Sequence, residues 1–179
     1  MEKINKIILC LGILLVIGFF IDNFIMNLIL SLRNNILNSF FIFFDKYFNY
    51  IFLAIFITLI PLLKKENKLV FLSKLWLGFI SAGIISYILK LIIERPRPII
   101  SLLEKSMSSF PSGHAAVIFT IFIILYYNLK KYKYLWLILA VLTGFSRIYL
   151  GVHYFTDIIG GIIIGLLLGN NINLLIDKK

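Results

Sequence analysis

The sequence predicts an all-α protein, an integral membrane bundle of about six transmembrane helices with an interfacial amphipathic segment between the first two. Hydropathy, run length and charge placement each point to it. Of the 179 residues, 61% are hydrophobic and 15% charged, and the mean hydropathy is +1.01. That is more apolar surface than a small soluble globule can bury. The apolar residues fall in several runs near the roughly 20 residues that a bilayer core of about 30 Å requires of a helix. The 18 Lys and Arg residues, against 8 Asp and Glu, sit in short clusters between those runs, as loops facing anionic headgroups do. Their placement points the formal charge of +10 at a lipid bilayer and away from nucleic acid. Nothing is left over for a soluble region, so residues 1–179 read as a single transmembrane domain.

Ile4 to Ile21 is the first expected span, with Lys3 and Lys6 before it and Asp22 after it. Its basic start and apolar stretch resemble a signal peptide, but no small-residue cleavage site follows, so an uncleaved span is expected. Asn23 to Asn49 mixes apolar residues with Asn27, Ser31, Arg33, Asn38, Asp45 and Lys46, which suits an interfacial amphipathic segment. The second span runs from Tyr47 to Leu63, closed by Pro61 and the basic loop Lys64 to Lys68. The third covers Leu75 to Ile93 and carries Lys90 near its far end. After the polar segment Glu94 to Ser112 come a fourth span from Gly113 to Leu129, a fifth from Tyr134 to Tyr149 and a sixth from Tyr154 to about Leu175. In the sixth, Gly161, Gly165 and Gly169 recur every four residues, the small-residue pattern that lets membrane helices approach closely. Packing against the fourth or fifth span is its expected use. The single cysteine, Cys10, allows neither an intrachain disulfide nor a cysteine-based metal cluster.

Orientation follows from Lys and Arg on alternating sides. Lys3, Lys6, Lys64, Lys65, Lys68, Lys74, Lys130, Lys131, Lys133, Lys178 and Lys179 share one side, and Arg33, Lys46, Lys90, Arg95, Arg97, Lys105 and Arg147 the other. The larger set is expected to face the cytoplasm, which puts both termini there, in a cell membrane. The end of the third span, the start of the fourth, the end of the fifth and the start of the sixth then reach the same extracytoplasmic face, and the unusual polar residues gather there.

Those residues describe a chemistry. His153 and Asp157, four apart, lie on one helical face, so the carboxylate can hold one ring nitrogen and leave the other free, as a histidine nucleophile or base requires. Taken alone, the pair is as readily a local contact at a helix start. Lys90 and Arg97 would more often be snorkelling anchors at a membrane edge, yet Pro96 and Pro98 forbid a continuing helix and can turn Arg97 back toward the lysine. In Pro111-Ser112-Gly113-His114, Ser112 can cap the fourth span, and the amides around Gly113 make an anion site at the positive end of the helix dipole. The combination is stronger than its parts. Two histidines, three cations (Lys90, Arg97 and Arg147) and a helix amino terminus, with no cysteine or carboxylate cluster, describe a site for a phosphoryl group handled without metal or cofactor.

Lys90 with Arg97-Pro98, Pro111-Ser112-Gly113-His114, and Ser146-Arg147 with His153 and Asp157 closely resemble the three signature motifs of the type 2 phosphatidic acid phosphatase superfamily, in the same order and internal spacing. The resemblance covers positions 90 to 157 by motif, and every signature position is filled. It implies that His153 attacks phosphorus and forms a phosphohistidine, that Asp157 orients it, and that His114 serves as general acid and then general base. Lys90, Arg97, Ser112, Gly113 and Arg147 would hold the phosphate oxygens. Arg95 and Glu94 stay outside this core, paired with each other or touching a headgroup.

The expected activity is dephosphorylation of a membrane lipid phosphate or diphosphate: phosphatidylglycerophosphate, phosphatidic acid, undecaprenyl diphosphate or a lipid A phosphate. A phosphotransferase of the same superfamily, passing the group to an acceptor lipid, has the same residues. A non-catalytic protein that keeps the anion site only for binding is the reading from another class, and the hydropathy argues against a soluble haloperoxidase. The expected partners are the substrate lipid and the bilayer, with the chain a monomer or weak homo-oligomer.

Overall fold

A computed structural model of the chain describes residues 2–47, 50–63, 66–103 and 106–177. Among them there is no strand. Seven α-helices follow in order: α1 (Glu2–Ser31), α2 (Asn35–Tyr47), α3 (Tyr50–Leu59, continued by a 3-10 turn to Leu63), α4 (Lys68–Ile93), α5 (Gly113–Asn128), α6 (Lys133–Tyr149) and α7 (Phe155–Asp177). Lys64, Lys65, Lys105, Lys178 and Lys179, used above for orientation, lie outside the described residues, as does the junction of the second span at positions 48 and 49.

α5 is the axis of the bundle. Helices α4, α6 and α7 pack around it, and α1 lies against α7. Most of α5 is apolar and buried, including Val117, Ile121 and Ile124, and these meet Ile57 of α3, Phe71 and Leu75 of α4 and Ile172 of α7 in one cluster. The outer helices are the reverse of a soluble protein's. Phe20 is 86% exposed and Ile92 71%, surfaces that only a lipid environment favours.

Among the described residues, three helices are long and apolar enough to cross a membrane: Ile4–Ser31, Lys68–Ile93 and Phe155–Ile176. α5, with 16 residues, and α6, with 17, rise only about 25 Å at 1.5 Å per residue. α3 is shorter still.

The first span also differs from expectation. α1 continues through Asp22 to Ser31, because Asp22 is buried and paired and so does not end the helix; Asp22, Met26 and Ile29 form its buried face. The amphipathic segment is therefore α2 alone, which lays Phe41 and Phe44 inward. α4 begins at Lys68, seven residues before the expected start, since Lys74 is accommodated inside the bundle by donating to Asn173 Oδ1 at 3.3 Å. Its other end comes where expected: Glu94 takes a left-handed conformation (φ 48°) and its N–H closes on Lys90 O, while Pro96 and Pro98 prevent continuation.

The glycines of α7 pack against α5. A Cβ at Gly161, Gly165 or Gly169 would meet Ser112 O at 2.6 Å, Ala116 O at 2.8 Å or Thr120 O at 2.8 Å, so the two backbones touch along three turns. A direct main-chain bond, Ser112 N–H to Asp157 O at 2.9 Å, ties the start of one helix to the start of the other.

Candidate active site

The carbonyls of Met107, Ser108 and Ser109, between α4 and α5, gather two cations. Lys90 Nζ donates to Ser108 O at 2.6 Å and Ser109 O at 2.9 Å. Arg97 donates to Met107 O at 2.6 Å and Ser108 O at 3.4 Å, and to Val152 O. Lys90 and Arg97 thus meet on a shared carbonyl, as the prolines predicted. Arg97 also brings a guanidinium nitrogen to 3.5 Å from His153 Nε2.

His153 lies in the turn between α6 and α7. Its Nδ1 is 3.3 Å from Asp157 Oδ2, and the same oxygen accepts the Tyr154 N–H at 2.9 Å, which fixes the carboxylate against the turn. His153 is 4% exposed. Burial pushes its pKa down from 6.5 to about 4, against the pull of the Asp157 hydrogen bond and charge, while Lys90 and Arg97 add to the lowering. The imidazole is therefore neutral at physiological pH.

Lys90, Arg97, Gly113, His114, Arg147 and His153 line one cavity of about 280 Å³. Six of the eight candidate residues thus converge. Asp157 sits behind His153, fully buried, and Ser112 is likewise buried, its Oγ accepting the Ala115 N–H at 3.4 Å as the α5 cap. Ser112 is not among the residues of the cavity wall, while its neighbour Gly113 is. Arg147 is buried and forms an ion pair with Asp45 of α2, which ties the amphipathic helix to a residue of the cavity wall.

The largest omission from the sequence reading is Arg95. It does not pair with Glu94. One arm donates to Asp157 Oδ1 at 2.7 Å and the other to Asp22 Oδ2 at 2.7 Å, so Arg95 and Asp22 stand directly behind the His153–Asp157 pair. The available signal was Asp22 itself, an acidic residue interrupting the apolar run of α1; ionisable groups at such depth are rarely without a partner.

A second cavity of about 440 Å³ runs along α4 and α5. Its walls are almost wholly apolar, with Phe79, Ile80, Ile84 and Val117 among them, and it shares Lys90, Met107 and Gly113 with the cationic cavity. A Cβ at Gly83 would meet nothing within 4 Å, which keeps this trough open.

Comparison with known proteins identifies the family. The chain is similar to phosphatidylglycerophosphatase B of Bacillus subtilis, 37% identical over 116 residues, 55% of this chain and 57% of that protein. It is 30% identical over 96 residues to the undecaprenyl-diphosphatase BcrC of the same organism, covering 50% of each. The matched regions thus span about half the length of these curated relatives. Among solved structures, the PAP2 type phosphatidylglycerolphosphate phosphatase of Bacillus subtilis superposes with a TM-score of 0.79 at 27% identity, covering 99% of this chain and 98% of that one. Aquifex aeolicus LpxE superposes with a TM-score of 0.74 at 28% identity over 87% of this chain and 93% of that one. The family model described as the PAP2 superfamily matches residues 71–179, which contain all eight candidate site residues, and the chain belongs to that superfamily.

Proposed function

We propose that the protein is a metal-independent phosphatase that removes phosphate from a membrane lipid phosphate or diphosphate through a phosphohistidine on His153. The observation that carries this reading is the shared wall of the two cavities. A cationic, two-histidine pocket opening onto an apolar trough fits a molecule with a phosphate at one end and a hydrocarbon chain at the other. The names of the relatives support the same substrates: phosphatidylglycerophosphate and undecaprenyl diphosphate, with phosphatidic acid and lipid A phosphate as further members of the class.

In this reading Nδ1–H of His153 donates to Asp157, which leaves the Nε2 lone pair for phosphorus. Nε2 forms the N–P bond as the bond from phosphorus to the lipid oxygen breaks, and His114 gives that oxygen its proton. His114 then takes a proton from water, whose oxygen displaces His153 and releases phosphate. Lys90, Arg97, Arg147 and the Gly113 amide hold the non-bridging oxygens and stabilise the charge spread over them in the transition state. Because these cations are fixed in place, no metal is required for the charge. We read the bundle as six spans with both termini cytoplasmic and the pocket facing outward, the shorter α5 and α6 leaving the site slightly below the headgroups.

The test is release of inorganic phosphate by purified protein from each of these four lipids, with and without acceptor lipids. His153→Ala should abolish release. Unchanged release by that variant would remove the mechanism, and phosphate appearing on an acceptor in place of water would identify a phosphotransferase.

A further inference from the structure

We propose that Asp22 and Arg95 are positioning residues for the His153–Asp157 pair, with Asp22 holding the Arg95 guanidinium so that it shares Asp157 with the histidine and does not capture it. The inference rests on the reading of His153 as the nucleophile.

Asp22 lies in an apolar membrane helix and is 3% exposed, where a carboxylate is costly unless paired. Both of its oxygens are used. Oδ1 accepts the Thr156 N–H at 3.0 Å, and Oδ2 accepts Arg95 at 2.7 Å together with the Thr156 hydroxyl. Arg95 also donates to Thr156 Oγ1 at 2.6 Å. Its guanidinium is enclosed by the rings of Phe19 and Tyr154, at 5.0 and 4.2 Å from their centroids, contacts that favour a cation. Gly18, one turn before Asp22, permits the approach of α1: a Cβ there would lie 2.6 Å from Thr156 Cγ2.

The two oxygens of Asp157 are thereby divided. Oδ1 serves Arg95 at 2.7 Å and Oδ2 serves His153 Nδ1 at 3.3 Å. The shorter, charge-assisted contact is the stronger competitor. With Asp22 present, the guanidinium has an acid on each side, and the group of two carboxylates and one cation presents a net negative charge to the imidazole. Without Asp22, Arg95 would neutralise Asp157 alone and could turn both arms onto it. Asp157 would then support the positive charge that develops on His153 less well. Removing Arg95 as well returns the negative charge to Asp157.

That sequence of charges predicts an interaction that a scaffold would not show. Asp22→Asn should lower kcat about tenfold with KM nearly unchanged, the size of one pKa step in the partner's support. Adding Arg95→Gln to Asp22→Asn should raise kcat above that of the single variant. The assay is phosphate release from dioctanoyl phosphatidic acid by full-length protein, with thermal unfolding recorded for each variant. A double variant at or below the kcat of Asp22→Asn would overturn the proposal.

The His153 titration, followed by NMR of labelled histidine, gives a second readout. His153 faces Asp157 from α7, Lys90 from α4, Arg97 from segment 94–112, and His114 and Arg147 across the cavity, and these variants replace none of them. Its midpoint should fall in Asp22→Asn and recover in the double variant; an unmoved midpoint overturns the proposal. If Asp22→Asn does not accumulate as folded protein, Arg95→Lys carries the test. A lysine keeps the charge but cannot fork between two acids, so kcat falls at constant KM, and parental kcat would refute the role. His153→Ala separates the two levels: turnover without His153 sinks the mechanism, while the titrations still report on Asp22 and Arg95.

Discussion

The low proton affinity of His153 is the most direct quantity to measure. The chain has two histidines, so protein labelled at the imidazole carbon gives two titrating signals in a detergent micelle, and His114→Gln identifies which is which. Burial lowers the His153 pKa from 6.5 to about 4, a gap worth roughly 3 kcal/mol at 1.36 kcal/mol per unit. The sign follows from proton counting. Between pH 6.5 and 4 the unfolded chain binds a proton at this residue and the folded chain does not, so stability falls as the solution is acidified through that window. Above pH 6.5 the contribution is fully present; below the folded value it is lost and falls no further. The expected result is a His153 midpoint near 4, and a pH dependence of unfolding that disappears in His153→Gln. A midpoint at or above 6.5 would refute the idea that burial outweighs Asp157, and His153 would then be charged and unable to attack at mildly acidic pH. Measuring the ligand-free protein matters, because a phosphate monoester titrates near pH 6 itself and would obscure an activity profile.

Three further outcomes are expected. Gly83→Leu should fill the trough without disturbing the fold, as a Cβ there meets nothing within 4 Å; kcat/KM for long-chain substrates should drop about tenfold relative to a glycerol phosphate headgroup, in line with the discrimination an apolar pocket gives, and equal losses for both would contradict the trough's assignment. Gly165→Ala should destabilise by about 1–3 kcal/mol through overpacking, since its Cβ would lie 2.7 Å from Phe119 Cβ and 2.8 Å from Ala116 O, whereas Gly12→Ala, with nothing nearby, should leave the thermal midpoint unchanged or raised. Turnover should be complete in excess chelator, and its abolition there would show that protein cations do not suffice for the charge.

Local chemistry made the motifs legible. Lys90, Arg97, Gly113, His114, Arg147, His153 and Asp157 are conspicuous because each is polar or conformationally special at the edge of an apolar run, and the helix breaks at Pro96 and Pro98 are dictated by the residue itself. The glycine spacing in α7 foretold a close helix contact, although only the fold selects α5 as its partner. What stayed hidden depends on pairing between distant segments. Asp22 read as the end of a helix because an unpaired carboxylate would end one there; its partner is 73 residues away, Arg95. Asp45 read as ordinary polarity on an interfacial face, and its contact with Arg147 has no local signal. Ser112 was readable as a cap, and its Oγ does accept the Ala115 N–H.

The bond from Ser112 N–H to Asp157 O, backed by glycine against main chain along α5 and α7, mounts both imidazoles on one chassis. The spacing of the segments that carry the two histidines is consequently set by polypeptide backbone, which side-chain replacement scarcely alters. Lys90 and Arg97 instead hang from the carbonyls of a separate arm, residues 107–109. In the proposed mechanism, changes in that arm would retune which headgroup is gripped while the two histidines keep their spacing, a division of labour by which one scaffold would serve several lipids.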